Sequence, residues 1–556
     1  MNLKRRFILM FIILSAYCSY AQNAGDTFFT GIKVHTIKLY FDQPNYWDSL
    51  TTYYTQGNEQ YMVAKVVIDG TELDSCGARL KGNSSYSHPN NKKPMKIDFN
   101  EYRDDQKYDG LKGLFLNNCY SDPSFIREKM HLDFCKNAGI AAPRGTFAFI
   151  YINDSVWGLY SIVEPVDKKF LSTHFNNKGG NLYKAVDAFG GDGGGNGGGG
   201  GNPGGGPGGG NPGGGQTSQV LSDFAFYGDS VSNYTSRYEL KTDDSATPWT
   251  DLVSVIDVLN SSSNMATDLP QKVNMESIYK GMGTDILFAS LDSYVESGRN
   301  FYVYFNESTQ KMEWIIWDTN MSFGGYSGGN NNTTAETLSI TYVNSTASRP
   351  LISKVYGNST LKTEYLKTFA DMFSSYFVPA TLLEHADSIA AVIRPYVELD
   401  SRKQYTLAQF DTNIKSDVSV SGGGNGQGGG QQRIPGIESF ITARQASVKT
   451  QLANAGVLDV KEQTTSSIPA VFKLAQNYPN PFNPTTTIGF SIPQSGNVTL
   501  KIYNVLGREV AALVNGYKNA GNYSVNFDGS KLSSGVYFYE LKSGKYSNTK
   551  KLLLLK

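Results

Sequence analysis

The sequence predicts an α+β protein that ends in a small all-β sandwich, and three observations carry that assignment. Apolar and polar residues alternate in short runs through residues 28–188, the period of half-buried strands. Between residues 217 and 455, longer stretches repeat apolar residues every three or four positions, the period of helices buried on one face. After residue 472, short β-rich runs are separated by Asn, Pro and Gly turns, the pattern of a sandwich.

Residues 1–21 read as a secretory signal peptide. Lys4, Arg5 and Arg6 precede the apolar run 7–16, and Ser19-Tyr20-Ala21 offers a small-x-small cleavage site. That run is too short to span a membrane, and no other stretch reaches the eighteen or so apolar residues required. No membrane span is therefore expected after signal cleavage. In residues 28–188, the runs 63–68 and 96–99 read as strands, and 146–153 with 156–164 as a hairpin around Asp154-Ser155. Between them the sequence predicts a helix. Asp122 suits its N-cap, Pro123 its first position and Gly139 its C-terminal stop. Ile126, Met130 and Phe134 give it one buried stripe.

The next segment holds nineteen of the chain's 58 glycines within residues 190–215. With no side chains to bury, it cannot repay the entropy of ordering and reads as an inserted loop. Residues 217–455 resume with helices near 361–376, 380–397 and 437–455, and one hairpin of 300–306 with 312–317. A second insert, 422–430, carries seven more glycines. A Thr/Ser/Pro linker at 456–471 then leads to the terminal unit, 472–556. Neither glycine tract has the three-residue period of collagen.

Composition narrows the function classes. Fifty basic and fifty acidic residues give a net charge of zero, with no long basic run, so no nucleic-acid partner is expected. After export three cysteines would remain, Cys76, Cys119 and Cys135, enough for at most one internal disulfide. Five scattered histidines and no HExxH exclude a zinc-hydrolase pattern.

The terminal unit opens Leu474-Ala-Gln-Asn-Tyr-Pro-Asn-Pro-Phe-Asn-Pro-Thr485. It continues Lys501-Ile-Tyr-Asn-Val-Leu-Gly-Arg-Glu-Val510 and Ser534-Gly-Val-Tyr-Phe-Tyr539. These blocks resemble the type A C-terminal sorting domain of the type IX secretion system over residues 472–556. The resemblance implies engagement with that secretion machinery and a secreted or cell-surface location. Upstream stand Arg79-Leu-Lys-Gly-Asn-Ser-Ser85, Lys92-Lys-Pro-Met-Lys-Ile-Asp-Phe99, Leu116-Asn-Asn118, Phe125-Ile-Arg-Glu128, Gly158-Leu-Tyr-Ser-Ile-Val-Glu164 and the region 292–324. Within residues 28–455 these blocks resemble the spore coat protein H (CotH) kinase family. The resemblance implies an atypical two-lobed protein-kinase-like fold that uses ATP with Mg²⁺ or Mn²⁺.

Phosphoryl transfer needs a carboxylate to orient the acceptor hydroxyl, oxygen ligands for a metal, and a cation on the phosphates. In ordinary kinases a catalytic Asp and a metal-binding Asn precede a hairpin that ends on a metal-binding Asp. Here Asp292 and Asn300 precede the expected hairpin, and Asp318 follows it. Asp292 is then the expected catalytic residue, with Asn300, Asp318 and Asn320 as candidate metal ligands. By resemblance, Lys93 or Lys96 would hold phosphates and Glu128 would orient that lysine. Glu164 would sit at the hinge near the adenine. Arg79 and the turn carrying Lys81 and Ser84 would face the nucleotide. The family commonly has Trp-Asp-x-Asp after the hairpin, whereas this chain has Trp317-Asp318-Thr319-Asn320, one carboxylate fewer. The expected activity is ATP-dependent phosphorylation of Ser or Thr on secreted or surface proteins. The alternative is a weak or inactive kinase-like module that binds protein or polysaccharide.

Overall fold

The computed structural model describes residues 23–57, 59–186, 222–242, 247–326, 334–344, 348–421, 431–457, 472–477, 480–518 and 520–555. The signal peptide, both glycine tracts and all but two residues of the linker lie outside these residues. The chain divides into two compact units between residues 458 and 459.

The alternating runs of the first unit close into a barrel. Its strands are β1 (Val34–Tyr40), β2 (Met62–Ile68), β3 (Thr71–Leu80), β4 (Met95–Asp98), β5 (Gly113–Asn117), β6 (Gly145–Ile152) and β7 (Ser155–Val163). The order is β1-β2-β3-β4-β5-β7-β6, closed by parallel pairing of β6 with β1. Period-two patterning sends Ile37, Leu39, Val66, Ile68, Ile97, Leu114, Leu116 and Ile150 inward, where they are fully buried. Each such side chain contributes about 1.5–3 kcal/mol of hydrophobic stabilisation. Helix α1 (Tyr46–Thr55) packs on β3. The β6–β7 turn falls one residue earlier than expected, on Asn153 and Asp154, both with positive φ, the signature of a tight hairpin.

Helix α2 (Arg127–Asn137) starts four residues later than the sequence suggests. Asp122 is the reason. Its Oδ1 accepts hydrogen bonds from the Ser124 amide and hydroxyl, and its Oδ2 accepts from the Arg127 amide. The segment thus forms a side-chain-closed turn, and Phe125 takes φ +61°, which no α-helix allows. The stop is as expected: Gly139 has φ +66°, and the Ile140 amide donates back to the Cys135 carbonyl.

After α3 (Lys168–Phe175) come β8 (Leu182–Ala185) and β9 (Tyr238–Leu240), then helices α4 (Thr250–Ser261), α5 (Met265–Lys272) and α6 (Met275–Leu287). The expected second hairpin is β10 (Phe301–Asn306) with β11 (Lys311–Ile316), and it is not isolated. It joins β8 and β9 in a sheet of order β11-β10-β8-β9. Strands of three and four residues carry too little periodicity to read from sequence. The rest of the unit is α7 (Pro350–Gly357), α8 (Ser359–Tyr376), α9 (Pro379–Leu399), α10 (Leu407–Lys415) and α11 (Ile437–Asn454). A ribbon of β12 (Val418–Ser421) with β13 (Gln431–Ile434) flanks residues 422–430.

The second unit is all-β. It comprises β14 (Lys473–Leu474), β15 (Thr485–Ile492), β16 (Gly496–Asn504), β17 (Glu509–Lys518), β18 (Gly521–Asp528), β19 (Gly535–Ser543) and β20 (Tyr546–Leu554). Two antiparallel sheets, β14-β15-β18 and β17-β16-β19-β20, share a core that includes Phe490, Ile502, Tyr539 and Leu552.

Cys76, Cys119 and Cys135 are all buried free thiols. Burial pushes the thiols of Cys76 and Cys119 up to about 12, and that of Cys135 upward. The native protein at pH 8 is expected to resist iodoacetamide at all three, and the denatured chain lacking residues 1–21, which carry Cys18, to take up three labels by mass spectrometry. Rapid native labelling would contradict this burial.

Candidate active site

The hairpin register places the first residues of the site. Phe301 pairs with Ile316, so Asn300 and Asp318 emerge at the same end of the two strands. Both take left-handed backbone, φ +58° and +54°, conformations that Asn and Asp tolerate and that concentrate at functional sites. Asp292 is tied to them. Asn300 Nδ2 donates to the Asp292 carbonyl at 2.7 Å and to Oδ2 at 3.2 Å. Asp292, Asn300, Asp318 and Asn320 line one cavity of about 320 Å³ with Lys81, Ser84 and Glu128.

Strand alternation explains the opposite wall. Leu114 and Leu116 of β5 fill the barrel, so Phe115 and Asn117 face outward, Asn117 onto this cavity and Phe115 onto its neighbour. Asn117 Nδ2 donates to both oxygens of Glu128, at 2.9 and 3.1 Å, while its Oδ1 accepts from Lys81 Nζ at 3.2 Å. Ser161 on β7 donates its hydroxyl to Glu128 Oε2 at 2.7 Å. Burial pushes the Glu128 carboxyl above its ordinary range; Ser161, Asn117 and the Lys81 charge oppose the shift. The result is a Lys81–Asn117–Glu128 relay. The next residue, Asn118, donates to the carbonyls of Ser85 and Lys92, holding the Ser84–Ser87 turn over the cavity.

Two buried arginines fix the loops around these side chains. Arg127, fully buried, pairs with Asp122 at 3.1 Å and donates to the carbonyls of Ser322, Phe323 and Pro435 and to Asn413. It pins the turn after Asp318 to α2. Arg444 on α11 donates to the carbonyls of Ile286 and Leu287, which end α6, and of Glu336 and Leu338. Burial lowers its guanidinium to about 9, still protonated at neutral pH. Sequence patterning hides both, because a fully buried arginine looks like a surface residue until its partners are known.

His131 completes this support. It stacks on Phe288 and its Nδ1 meets the Ser322 hydroxyl at 2.6 Å. Burial lowers it from 6.5 to about 3. Above pH 6.5 the ring is neutral whether folded or unfolded. Between pH 6.5 and about 3 only the unfolded chain takes up the proton, so stability falls, by at most about 1.4 kcal/mol per pH unit from this residue. The wild type is therefore expected to lose more melting temperature than His131→Gln between pH 6.5 and 4.5. Parallel curves would exclude His131 as a source of acid lability.

Four expected residues do not line this cavity. Lys93 turns into its own loop, donating to the carbonyls of Tyr86 and His88 at 2.7 and 2.8 Å. Lys96 lies over the Tyr61 ring, and Arg79 pairs with Glu59 at 3.3 Å. Both instead line a neighbouring, lysine-rich cavity of about 870 Å³ whose apolar wall residues include Phe115, Val166, Leu182 and Tyr302. Arg79 and Lys96 are cross-strand partners in the β3–β4 register, so they share a face and reach the same cavity. Glu164 is bound by Arg144 through Nε at 2.9 Å and Nη2 at 2.5 Å and lines neither cavity. The following residues, Pro165 and Val166, line the larger one. Sequence reading missed Asn117 and Ser161 as partners of Glu128, although the alternation of β5 already puts Asn117 opposite Leu116. It also missed Arg299, which binds Asp292.

The family described as "CotH kinase protein" matches residues 78–448, more than half of the chain and all of this cavity. The chain belongs to the CotH kinase family. A second match, "Secretion system C-terminal sorting domain", covers residues 476–555. The curated "Inner spore coat protein H" of Bacillus subtilis (strain 168) is 21% identical over 304 residues, 54% of this chain and 73% of that protein. This CotH-family member is thus a kinase-like protein whose sorting domain marks it for export by type IX secretion, to the cell surface or beyond it. Among the described residues, no helix is long and apolar enough to cross a membrane.

Proposed function

We propose that this CotH-family protein transfers the γ-phosphoryl group of ATP to Ser or Thr hydroxyls of secreted or surface proteins. The observation that carries the reading is the convergence of Asp292, Asn300 and Asp318 with the Lys81–Asn117–Glu128 relay on one cavity. The donor set suits a hard cation. Among the described residues no group of three or more His, Cys, Asp and Glu side chains converges. A metal here would therefore rest on Asp318, on the amide oxygens of Asn300 and Asn320, and on phosphate oxygens, as Mg²⁺ and Mn²⁺ sites commonly do. When bound, that metal would neutralise charge on the transferring group.

The chain's own residues divide the remaining work. Lys81, held by Asn117, presents its ammonium to the phosphates, and the Ser84–Ser87 turn covers them. Phe115, Val166 and Tyr302, on the wall of the larger and otherwise lysine-rich cavity, offer apolar surface against which an adenine ring could lie. Asp292 orients the acceptor hydroxyl and takes its proton.

The test is incorporation of labelled phosphate from ATP with Mg²⁺ or Mn²⁺, alongside a nucleotide-dependent thermal shift. Neither signal appearing would overturn the reading. Asn320 favours a second reading, a weakened kinase-like binding module, because it lacks the second carboxylate's charge. Asn320→Asp is expected to tighten Mn²⁺ binding and raise incorporation severalfold. A wild type that binds nucleotide without transfer, and gains transfer with Asn320→Asp, would support the weakened reading.

A further inference from the structure

We infer that Arg299 is the cation that recognises the terminal phosphoryl group and offsets its charge during transfer. The inference rests on the phosphotransferase reading above. Arg299 lines the cavity beside Asp292 and Asn300. Its Nε and Nη2 both reach a single oxygen, Asp292 Oδ1, at 2.7 Å, and the two side chains are only 20% and 15% exposed. Among the described residues, Asp292 Oδ2 meets only the longer 3.2 Å contact from Asn300. The two oxygens therefore have different roles: Oδ1 holds the guanidinium, and Oδ2 faces the acceptor.

The charges around this point favour a further cation beside the metal and Lys81. A phosphoryl group placed for transfer lies between Asp318 and Asp292, and every unit charge on it is repelled by both carboxylates. The other cavity cations have partners elsewhere on the wall. Lys81 is engaged by Asn117, and Lys184 sits opposite Glu239 in the β8–β9 register. Arg299 alone among these three is bound to the acceptor-side carboxylate.

The backbone presenting Arg299 is fixed. Arg349 donates to the carbonyls of Tyr294 and Glu296, Gly298 donates its amide to Ser293, and Asn300 grips the Asp292 carbonyl. Gly298 has φ +73°, and a methyl there would press on the Arg349 guanidinium. The loop thus holds the guanidinium beside Asp292, where exchange of one N–H from Oδ1 would let it meet a phosphate oxygen.

In the step itself, the acceptor oxygen forms a bond to Pγ as the bridging Pγ–O bond to the β-phosphate breaks. The electron pair leaves on ADP, and the hydroxyl proton passes to Asp292 Oδ2. Arg299 stabilises the charge spread over the transferring oxygens, the role of an arginine finger supplied within the chain.

Affinity for ATP and for ADP, measured by calorimetry on the full chain with Mg²⁺, tests this without depending on turnover. In Arg299→Ala, ATP affinity is expected to fall about tenfold or more while ADP affinity stays within about twofold, as loss of a γ-phosphate contact requires. Phosphate transfer is expected to fall by about 10³. Arg299→Lys, which keeps the charge and loses the fork, is expected to recover part of the ATP preference. Equal weakening of ATP and ADP, or no change in either, would overturn the role of Arg299 while leaving the phosphotransferase reading intact. A wild type that binds neither nucleotide would overturn that reading and this inference together. Loss of ATP preference in a protein that transfers no phosphate would support the Arg299 contact and overturn the transfer.

Discussion

Asp318→Asn is expected to lower phosphate transfer by about three orders of magnitude while leaving the fold intact. The substitution is chosen for its backbone. Asp318 sits at φ +54°, a conformation Asn adopts as readily as Asp, so the change removes charge without adding strain. Metal-borne stabilisation of the transferring group is worth several kcal/mol, and each 1.4 kcal/mol or so is a tenfold change in rate. The matching change on the acceptor side, Asp292→Asn, is expected to lower kcat by about 10²–10⁴, the range for loss of a positioned base, with little change in KM for ATP. The two substitutions separate by metal dependence. Added Mn²⁺ is expected to rescue part of Asp318→Asn and none of Asp292→Asn. Wild-type transfer rates in Asp318→Asn would remove this residue from the site.

Lys92→Met is expected to destabilise the first unit by about 3–5 kcal/mol, read as a lowered urea midpoint. Lys92 Nζ meets Asp400 Oδ2 at 2.7 Å, and both side chains are 0% exposed. The pair joins the loop before β4 to the end of α9. Asp400 also accepts from the amides of Leu159 and Arg402, and its carboxylate occupies the space above Gly158, at φ +122°, where any Cβ would collide with it. Removing the ammonium leaves a buried carboxylate facing only amides, which is why breaking the pair costs more than the pair is worth. Lys92→Met with Asp400→Asn is expected to recover part of the loss. A single-variant loss below about 1 kcal/mol would mean that water reaches Asp400. The same substitution bears on the cavity, because Asn118 links the Lys92 carbonyl to that of Ser85.

The parts of the site that are local in the chain were legible before the fold was known. Asn300 and Asp318 bracket a hairpin of ordinary length, so their proximity follows from strand pairing alone. The helix carrying Glu128 followed from its apolar spacing, although Asp122 shifted its start. Which lysine lines the cavity was not legible, because three candidates lie within sixteen residues and strand parity, which puts Lys81 and Lys96 on one face, does not separate them. Lys81 leads into the turn over the cavity, Lys96 lies on the face beside it, and Lys93 is consumed by its own loop. Glu164 lies away from both cavities for a different reason. Its partner Arg144 is twenty residues away, across the antiparallel β6–β7 pair, and that pairing turns the carboxylate from the cavities.

The sequence by itself determined the fold class, the family blocks and the chain order of the carboxylate, amide and carboxylate that bracket the hairpin. These depend on short-range periodicity and spacing, which any backbone must honour. Tertiary structure alone decided which of the three lysines lines the cavity and that Arg127 and Arg444 are buried supports. It also decided that Arg299 shares an oxygen with Asp292. Those outcomes depend on which groups meet after distant segments pack, when burial makes each unpaired charge costly and so selects its partner.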